Sequence, residues 1–466
     1  MNSKPVTVFA ARTAIGPFGS RMKSDAYTDS GVPVIRGTNL TGGKVLSGEW
    51  VYVSEKTADG LSNCCVYPGD LVFPHRGAIG EVGIVPEQFN RYVMSSSLMT
   101  LSCDRSKADP DYIYYFFKSA AGRHELLKNA SQVGTPGIGQ PLSTLRSIKV
   151  PLPPLQSQRS IAKILGDLDS KINLNHRINQ TLEAIAQAIF KSWFVDFDPV
   201  KAKIAAKQEG RDPLRAAMCA ISGKIEADLD ALPREQYKQL AATAALFPNE
   251  MEESEGIPKG WKQATLIELT TKIGSGATPR GGKDVYLENG VALIRSQNVY
   301  DSTFVWSGLA RISDNAAQQL KNVEIKSSDV LLNITGASIL RSCVAIPDVL
   351  PARVNQHVAI IRPKENIPSR FIHLHLLQRK TKDYLLGLNT GGSREAVTKA
   401  HIESTPIIRP TDPVLAAFQR ATNAIYLGNE SLARQDRSLA ELRDTLLPKL
   451  LSGELSVTDA LTKVEA

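Results

Sequence analysis

Two hydrophobic rhythms alternate along this chain. In residues 1–153 and 257–410 the apolar runs are short: VPVIR (32–36), DLVFP (70–74), ALIRS (292–296) and DVLLNI (329–334). Gly, Pro, Asn and Asp bound them, as expected of strands between turns. Helix-like pieces follow in both regions, DYIYYFFKSAAGRHELLKNA (111–130) and SRFIHLHLLQRKTKDYLLG (369–387). Each region therefore reads as a compact α+β domain. Residues 154–198 and 411–455 follow a different period. Read at alternating steps of four and three, the first gives Ile161, Leu165, Leu168, Ile172, Asn175, Asn179, Leu182, Ala186, Ile189 and Trp193. The second gives Phe418, Ala421, Ile425, Gly428, Leu432, Gln435, Leu439, Leu442 and Leu446. Both are heptad seams with polar interruptions, and a lone seam needs a partner helix. Two of similar length in one chain most simply pair with each other. Asp412 is the expected N-cap of the second helix with Pro413 at its first position, and Pro448 is expected to stop or kink it.

The chain also repeats itself. GVPVIRGTNL (31–40) matches GVALIRSQNV (290–299), and GDLVFPHRGAIG (69–80) matches SDVLLNITGASI (328–339), both at an offset of 259 residues. LRSIKVPLPP (145–154) falls opposite IESTPIIRPT (402–411) at a slightly smaller offset. The expected fold is thus α+β: two globular domains, 1–153 and 257–410, separated by an antiparallel pair of long coiled-coil helices, with an internal pseudo-two-fold repeat. Residues 199–256 read as a linker with helical pieces that packs peripherally, and 456–466 as a tail.

Composition adds little. The chain has 466 residues and a net charge of +8, compatible with nucleic acid without requiring it. No apolar run approaches the roughly 18 residues of a membrane span. The five cysteines form no C-x-x-C pair, which suits reduced thiols in a cytoplasm.

Motifs for catalysis are weak. GSGATPRGGKD (274–284) lacks the spacing and the hydroxyl residue of a phosphate loop. The HLH at 373–375 puts its rings on different helix faces, so no metal site is expected. No G-x-S-x-G elbow and no Asn/Asp-Pro-Pro-Tyr/Phe tetrapeptide occurs. FKSWFVDFDPV (190–200) offers two aspartates, but Asp196 and Asp198 stand where a long helix ends before Pro199. We read them as a structural joint, with Trp193, Phe194 and Phe197 packed around it or docking a partner subunit.

Residues 151–200 (PLPPLQSQRSIAKILGDLDSKINLNHRINQTLEAIAQAIFKSWFVDFDPV) closely resemble the central conserved region of type I restriction-modification specificity subunits, and LRDTLLPKLLSGEL (442–455) the end of their distal conserved region. GPFGS (16–20) and GVPVIRGTNL resemble the opening of a target recognition domain in that family, with GSGATPRGG (274–282) in the matching part of the second copy. The resemblance covers nearly the whole chain. It implies a non-catalytic subunit that recognises a bipartite, asymmetric duplex target. Two methyltransferase subunits, and conditionally restriction subunits, would dock on the helices. S-adenosylmethionine, ATP and Mg²⁺ would be used by those partners and none bound by this chain. About 40 helical residues span roughly 60 Å, and half-sites one DNA turn apart lie about 34 Å from each other, so the helices could set an unread spacer. The alternative is a non-catalytic protein-docking scaffold with a helical rod.

Reading base edges needs paired donors and acceptors: Arg for guanine, Asn or Gln for adenine. In the first domain the candidates are Arg36, Thr38 and Asn39, then His75 and Arg76, then Gln132, Gln140 and Arg146. In the second they are Arg295, Gln297 and Asn298, then Asn333, Ser338 and Arg341, then Ser393, Arg394 and Lys399. Asn39 and Asn298 could equally be holding turns, which would explain why they repeat. The two sets differ at matching places, so unlike half-sites are expected.

Overall fold

The computed structural model describes residues 3–18, 22, 26–131, 135–388 and 396–465. The chain divides into two units, Met1–Arg177 with Leu432–Ala466, and Ile178–Ser431. The first unit therefore joins the two ends of the chain.

In the first unit, Ala10–Ile15, Leu98–Cys103, Leu71–Pro74 and Gly83–Ile84 form an antiparallel sheet in that order. A second sheet runs Tyr27–Thr28, Val51–Val53, Val32–Ile35, Tyr92–Met94, Cys65–Val66, with one parallel pairing between Val32–Ile35 and Tyr92–Met94. Val32–Ile35 and Leu71–Pro74 are buried at every residue, so their sequences are continuous apolar runs rather than alternating ones. Helix Pro110–Lys118 starts on Asp109, whose side chain accepts from the Tyr112 N–H at 3.1 Å, and buries Tyr112 through Phe117.

The second unit repeats this plan. Thr270–Ser275, Val358–Pro363, Val330–Asn333 and Ser342–Val344 form the antiparallel sheet in the same order. Ala310–Ile312, Tyr286–Ile294 and Ala352–Val354 form the other, again with its parallel pair in the equivalent place. Ser3–Pro5 pairs with Lys149–Pro151, and Lys262–Thr265 with Pro406–Arg409. The duplication thus extends to strand order and direction.

Leu155–Phe194 and Asp412–Ser452 are continuous helices of 40 and 41 residues, and each unit contains part of both. In the first unit Ile161, Leu165 and Leu168 share a core with Leu446 and Leu450, and Leu439 and Leu442 pack against it. Arg443 Nη1 donates to Asp169 Oδ1 at 2.8 Å, and Tyr115 Oη donates to Asp169 Oδ2 at 2.7 Å. Asn175 Nδ2 donates to Gln435 Oε1 at 2.8 Å and to Asp436 Oδ1 at 2.7 Å. In the second unit Ala186, Phe190 and Trp193 share a core with Val414 and Phe418, with Ile189 and Ile425 against it. Partner numbers rise on one helix as they fall on the other, so the pairing is antiparallel within each unit. Ile172, Leu182 and Leu432 are half-buried.

The second seam departs from strict heptads. Ala421 and Gln435 are exposed, while Thr422 and Asp436 are buried beside them. A helix of 3.6 residues per turn drifts from a 3.5 repeat. Asp436 tolerates burial because Asn175 and His176, the latter at 3.3 Å, satisfy it. Pro448 does not stop the helix, which continues to Ser452.

Three other expectations are revised. Trp193, Phe194 and Phe197 are not free to dock a partner, because all three are buried in the second unit's own core. Trp193 meets Phe247 at 5.0 Å between ring centroids, Phe194 meets Phe371 and Phe418 at 5.0 Å each, and Phe197 meets Trp261 at 5.7 Å. Phe197 turns the chain with φ of 58°, Asp198 opens the next helix, and Asp196 pairs with Lys191. The stretch is a structural joint. Residues 199–256 are more than a peripheral linker. Helices Pro213–Ser222 and Arg234–Ala245 pack around Ala217, Met218 and Ala244, helix Asp198–Gln208 packs on Pro213–Ser222, and Val200 and Phe247 enter the main core. The expected tail folds as helix Val457–Glu465, with Ala460 in the first unit's core.

His373 is wholly buried in the second unit, with Nε2 on the Ser342 carbonyl at 3.0 Å, and desolvation pushes its pKa down to about 4. The unfolded chain binds a proton here below about 6.5 and the folded chain does not until about 4, so stability is lost as pH falls through that window. Denaturant unfolding should show the second unit losing on the order of 3 kcal/mol between pH 7 and 4 from this residue, and His373→Gln should remove that contribution while leaving the one made by His375, which desolvation also lowers to about 4.

Two backbone positions give predictions of opposite sign. A methyl group on Gly276 would lie 1.8 Å from the Val354 carbonyl oxygen, as one on Gly16 would lie 1.9 Å from that of Ser95. Gly276→Ala should destabilise by on the order of 3 kcal/mol. Ser328 holds φ of 71°, where the first copy has Gly69 at 88°. Ser328→Gly should therefore stabilise by about 0.5 kcal/mol, the relieved strain exceeding the entropy lost, as read by urea midpoint.

Candidate nucleic-acid interface

The two copies share one frame around the first candidate loop. Val32–Ile35 ends at Arg36, and a 3₁₀ turn Gly37–Asn39 follows. Asn39 is buried; its Oδ1 accepts from the Arg36 backbone N–H at 2.9 Å, and its Nδ2 donates to the Ser47 and Glu49 carbonyls at 3.2 and 3.1 Å. In the second copy Tyr286–Ile294 ends at Arg295, and Ser296–Asn298 makes the same turn. Asn298 Oδ1 accepts from Arg295 N at 3.1 Å, and Nδ2 donates to the Val305 and Ser307 carbonyls at 2.9 and 3.3 Å. Both asparagines spend their amides on backbone, so neither has an edge to offer a base. They hold the turn and the loop opposite it.

Asn333 and His75 are likewise internal. Asn333 Nδ2 donates to the Ser296 and Val299 carbonyls at 2.9 and 3.1 Å, which ties the second candidate strand to the first loop. His75 Nε2 lies 3.0 Å from the Ser96 carbonyl, and burial lowers its pKa. These four are removed from the set of direct base readers.

The rest of the set stays at the surface. Thr38, Arg76, Gln140, Arg146, Gln297 and Lys399 are exposed, and Arg36, Arg295, Ser338 and Arg341 are partly so. Arg36 Nη2 donates to the Glu49 carbonyl at 3.3 Å, and Arg295 Nη2 to that of Gly308 at 2.7 Å. Gln297 Nε2 also reaches the Gly308 carbonyl, at 3.0 Å. Arg146 Nε donates to Thr13 Oγ1 at 2.8 Å, and Lys399 Nζ pairs with Glu403 at 3.4 Å. Gln140 stands at φ of 46° before helix Pro141–Ser147. Arg341 stacks on the Tyr300 ring at 4.5 Å, which adds Tyr300 to the candidate surface. Its only sequence signal was its place two residues beyond Asn298. Gln132, Ser393 and Arg394 lie outside the described residues.

The Asp70 and Asp329 match has a structural cause as well. Each carboxylate accepts from the backbone N–H three residues before it, Tyr67 at 2.9 Å and Lys326 at 2.7 Å. Burial raises the Asp70 pKa. Among the described residues no group of three or more His, Cys, Asp or Glu is placed to hold a metal ion, and no helix is long and apolar enough to cross a membrane.

Residues 16–184 match the family described as type I restriction modification DNA specificity domain. The chain is 31% identical over 438 residues to the type I restriction enzyme HindI specificity subunit of Haemophilus influenzae, covering 89% of this chain and 93% of that one. It is 24% identical over 421 residues to the MjaIX specificity subunit of Methanocaldococcus jannaschii, covering 88% and 85%. The crystal structure of a type I S subunit from M. genitalium aligns over 96% of this chain and 95% of that one, at 13% identity and a TM-score of 0.49. With near-full coverage of a relative above 30% identity, the chain belongs to the family of type I restriction-modification specificity subunits, non-catalytic components of those enzymes.

Proposed function

We infer that this chain recognises a bipartite, asymmetric duplex DNA target, one half-site per globular domain, and positions two methyltransferase subunits on it, with restriction subunits joining conditionally. Methyl transfer with S-adenosylmethionine, and translocation and cleavage with ATP and Mg²⁺, belong to those partners. The observation that carries this reading is a contrast within the duplicated loops. The frame repeats, with Asn39 and Asn298 making the same bonds, while side chains at matching places differ: exposed Thr38 stands against exposed Gln297, and exposed Arg76 against half-buried Thr335. Loops on a rigid frame are where binding specificity is varied at least structural cost. One frame displaying two side-chain sets suits two unlike half-sites.

The long helices supply the second part of the inference. A spacer fixed by continuous helices is a length the protein measures without contacting bases.

Exchanging residues 1–150 for the equivalent domain of a relative should change one half-site and leave the other intact, as read by mapping methylated adenines in a strain carrying the hybrid. Change in both halves, or in neither, contradicts one domain per half-site. Inserting seven residues, two helical turns, into each long helix should lengthen the unread gap by about three base pairs, since each residue rises 1.5 Å. An unchanged gap contradicts the ruler. A gel shift on random duplex separates this reading from a protein-docking scaffold: binding should appear at low salt and weaken as salt rises.

A further inference from the structure

Among residues repeated between the copies, most are consumed by the scaffold: Asn39 and Asn298 hold turns, and Asp70 and Asp329 cap them. Arg36 and Arg295 are different. Each is repeated in geometry as well as identity, with φ of −116° and −119°, and each donates Nη2 to the carbonyl thirteen residues onward, Glu49 or Gly308. In both, Nε is shut away from solvent with no hydrogen-bond partner. Among the described residues, neither guanidinium has a carboxylate within ion-pair distance. Two full positive charges are therefore held in matching poses at the edge of the candidate surface, uncompensated.

Specific reading of guanine by arginine uses two parallel donors of the guanidinium. Here Nε is closed off and one Nη2 hydrogen is held by a backbone carbonyl, which leaves Nη1 and the second Nη2 hydrogen as donors, a pair that fits the oxygens of a phosphate as well as a guanine edge. Duplication decides between the two: a base reader kept identical in both copies would read the same base twice, whereas the phosphate backbone is the same in any half-site. Resting on the DNA-recognition reading above, we propose that Arg36 and Arg295 are matched phosphate clamps, one per half-site. They fix the register of each domain on the duplex and carry no sequence information. Base choice falls to positions that differ, such as Thr38 and Gln297.

The test is fluorescence anisotropy of the full chain on two labelled duplexes, one carrying the target mapped by methylation and one scrambled, across a salt series. Arg36→Gln and Arg295→Gln should each weaken both duplexes alike, on the order of tenfold, and lower the slope of log K against log salt by about 0.9. Arg36→Lys and Arg295→Lys, which keep the charge, should retain most of the slope. Weakening confined to the mapped target, or a change in the methylated sequence, would make these residues base readers and overturn the proposal. Affinity lost with the slope unchanged, or a melting temperature that falls equally in the Lys and Gln variants, would make them loop struts and overturn it too. If the unaltered chain shows no salt-dependent binding to either duplex, the DNA-recognition reading itself fails, a result distinct from any variant's behaviour.

Discussion

The pairing of the first long helix with the last is the constraint on which the rest depends. It is the reason residues 432–466 belong to the same unit as residues 1–177. Leu446 and Leu450 complete a core that Ile161, Leu165 and Leu168 cannot close alone, and Phe418 does the same for Phe190 and Trp193. An apolar seam sets affinity but tolerates slippage by a heptad. The buried contact of Asn175 with Gln435 and Asp436 removes that freedom, because any other register would leave Asp436 desolvated without a donor. Polar residues that interrupt the heptads are thus what makes the pairing unique.

Duplication then explains which matches the sequence displays. Many of the residues that recur at an offset of 259 or 260 are ones whose side chains replace backbone hydrogen bonds, or whose backbone admits no Cβ. Asn39 with Asn298, Asp70 with Asp329, and Gly16 with Gly276 all belong here. A diverging pair of domains can vary its exposed side chains freely but not these, since each loss leaves a buried donor or acceptor unpaired, or a steric overlap. Repetition between the copies is therefore a record of scaffold first. For that reason Asn39, Asn298 and Asn333, whose chemistry suits adenine, sit inside the domains instead of on the reading surface.

This sets what was legible in the chain. The two strand-rich regions, the long helices, their antiparallel pairing and the repeat all follow from apolar period and self-similarity, because those patterns are imposed by burial itself. The joint at 190–200 was legible for the same reason: aromatic density at a helix end has few uses other than packing. What escaped was tertiary accounting. Nothing local distinguishes Thr422 from Ala421 as the buried member of the seam, or announces that Phe247 crosses from its helical neighbourhood to meet Trp193. Nor does sequence separate an asparagine that faces DNA from one that faces the carbonyls of Ser47 and Glu49. Loop return paths decide that, and they are set by contacts ten residues away.

The same accounting limits how the domains can evolve. Because Asn39 and Asn298 bond the far side of their loops through backbone carbonyls, exposed side chains there such as Val45 and Thr303 are released from that task, while Leu46 and Val299 stay buried in the domain cores. A loop anchored by its main chain accepts substitution at little cost to stability, since the anchoring bonds are indifferent to side-chain identity. The difference between the two copies at those exposed positions is then a consequence of how the turn is built. Arg36 and Arg295 sit at the boundary between the two regimes, fixed by the frame through Nη2 and still carrying an unspent charge outward.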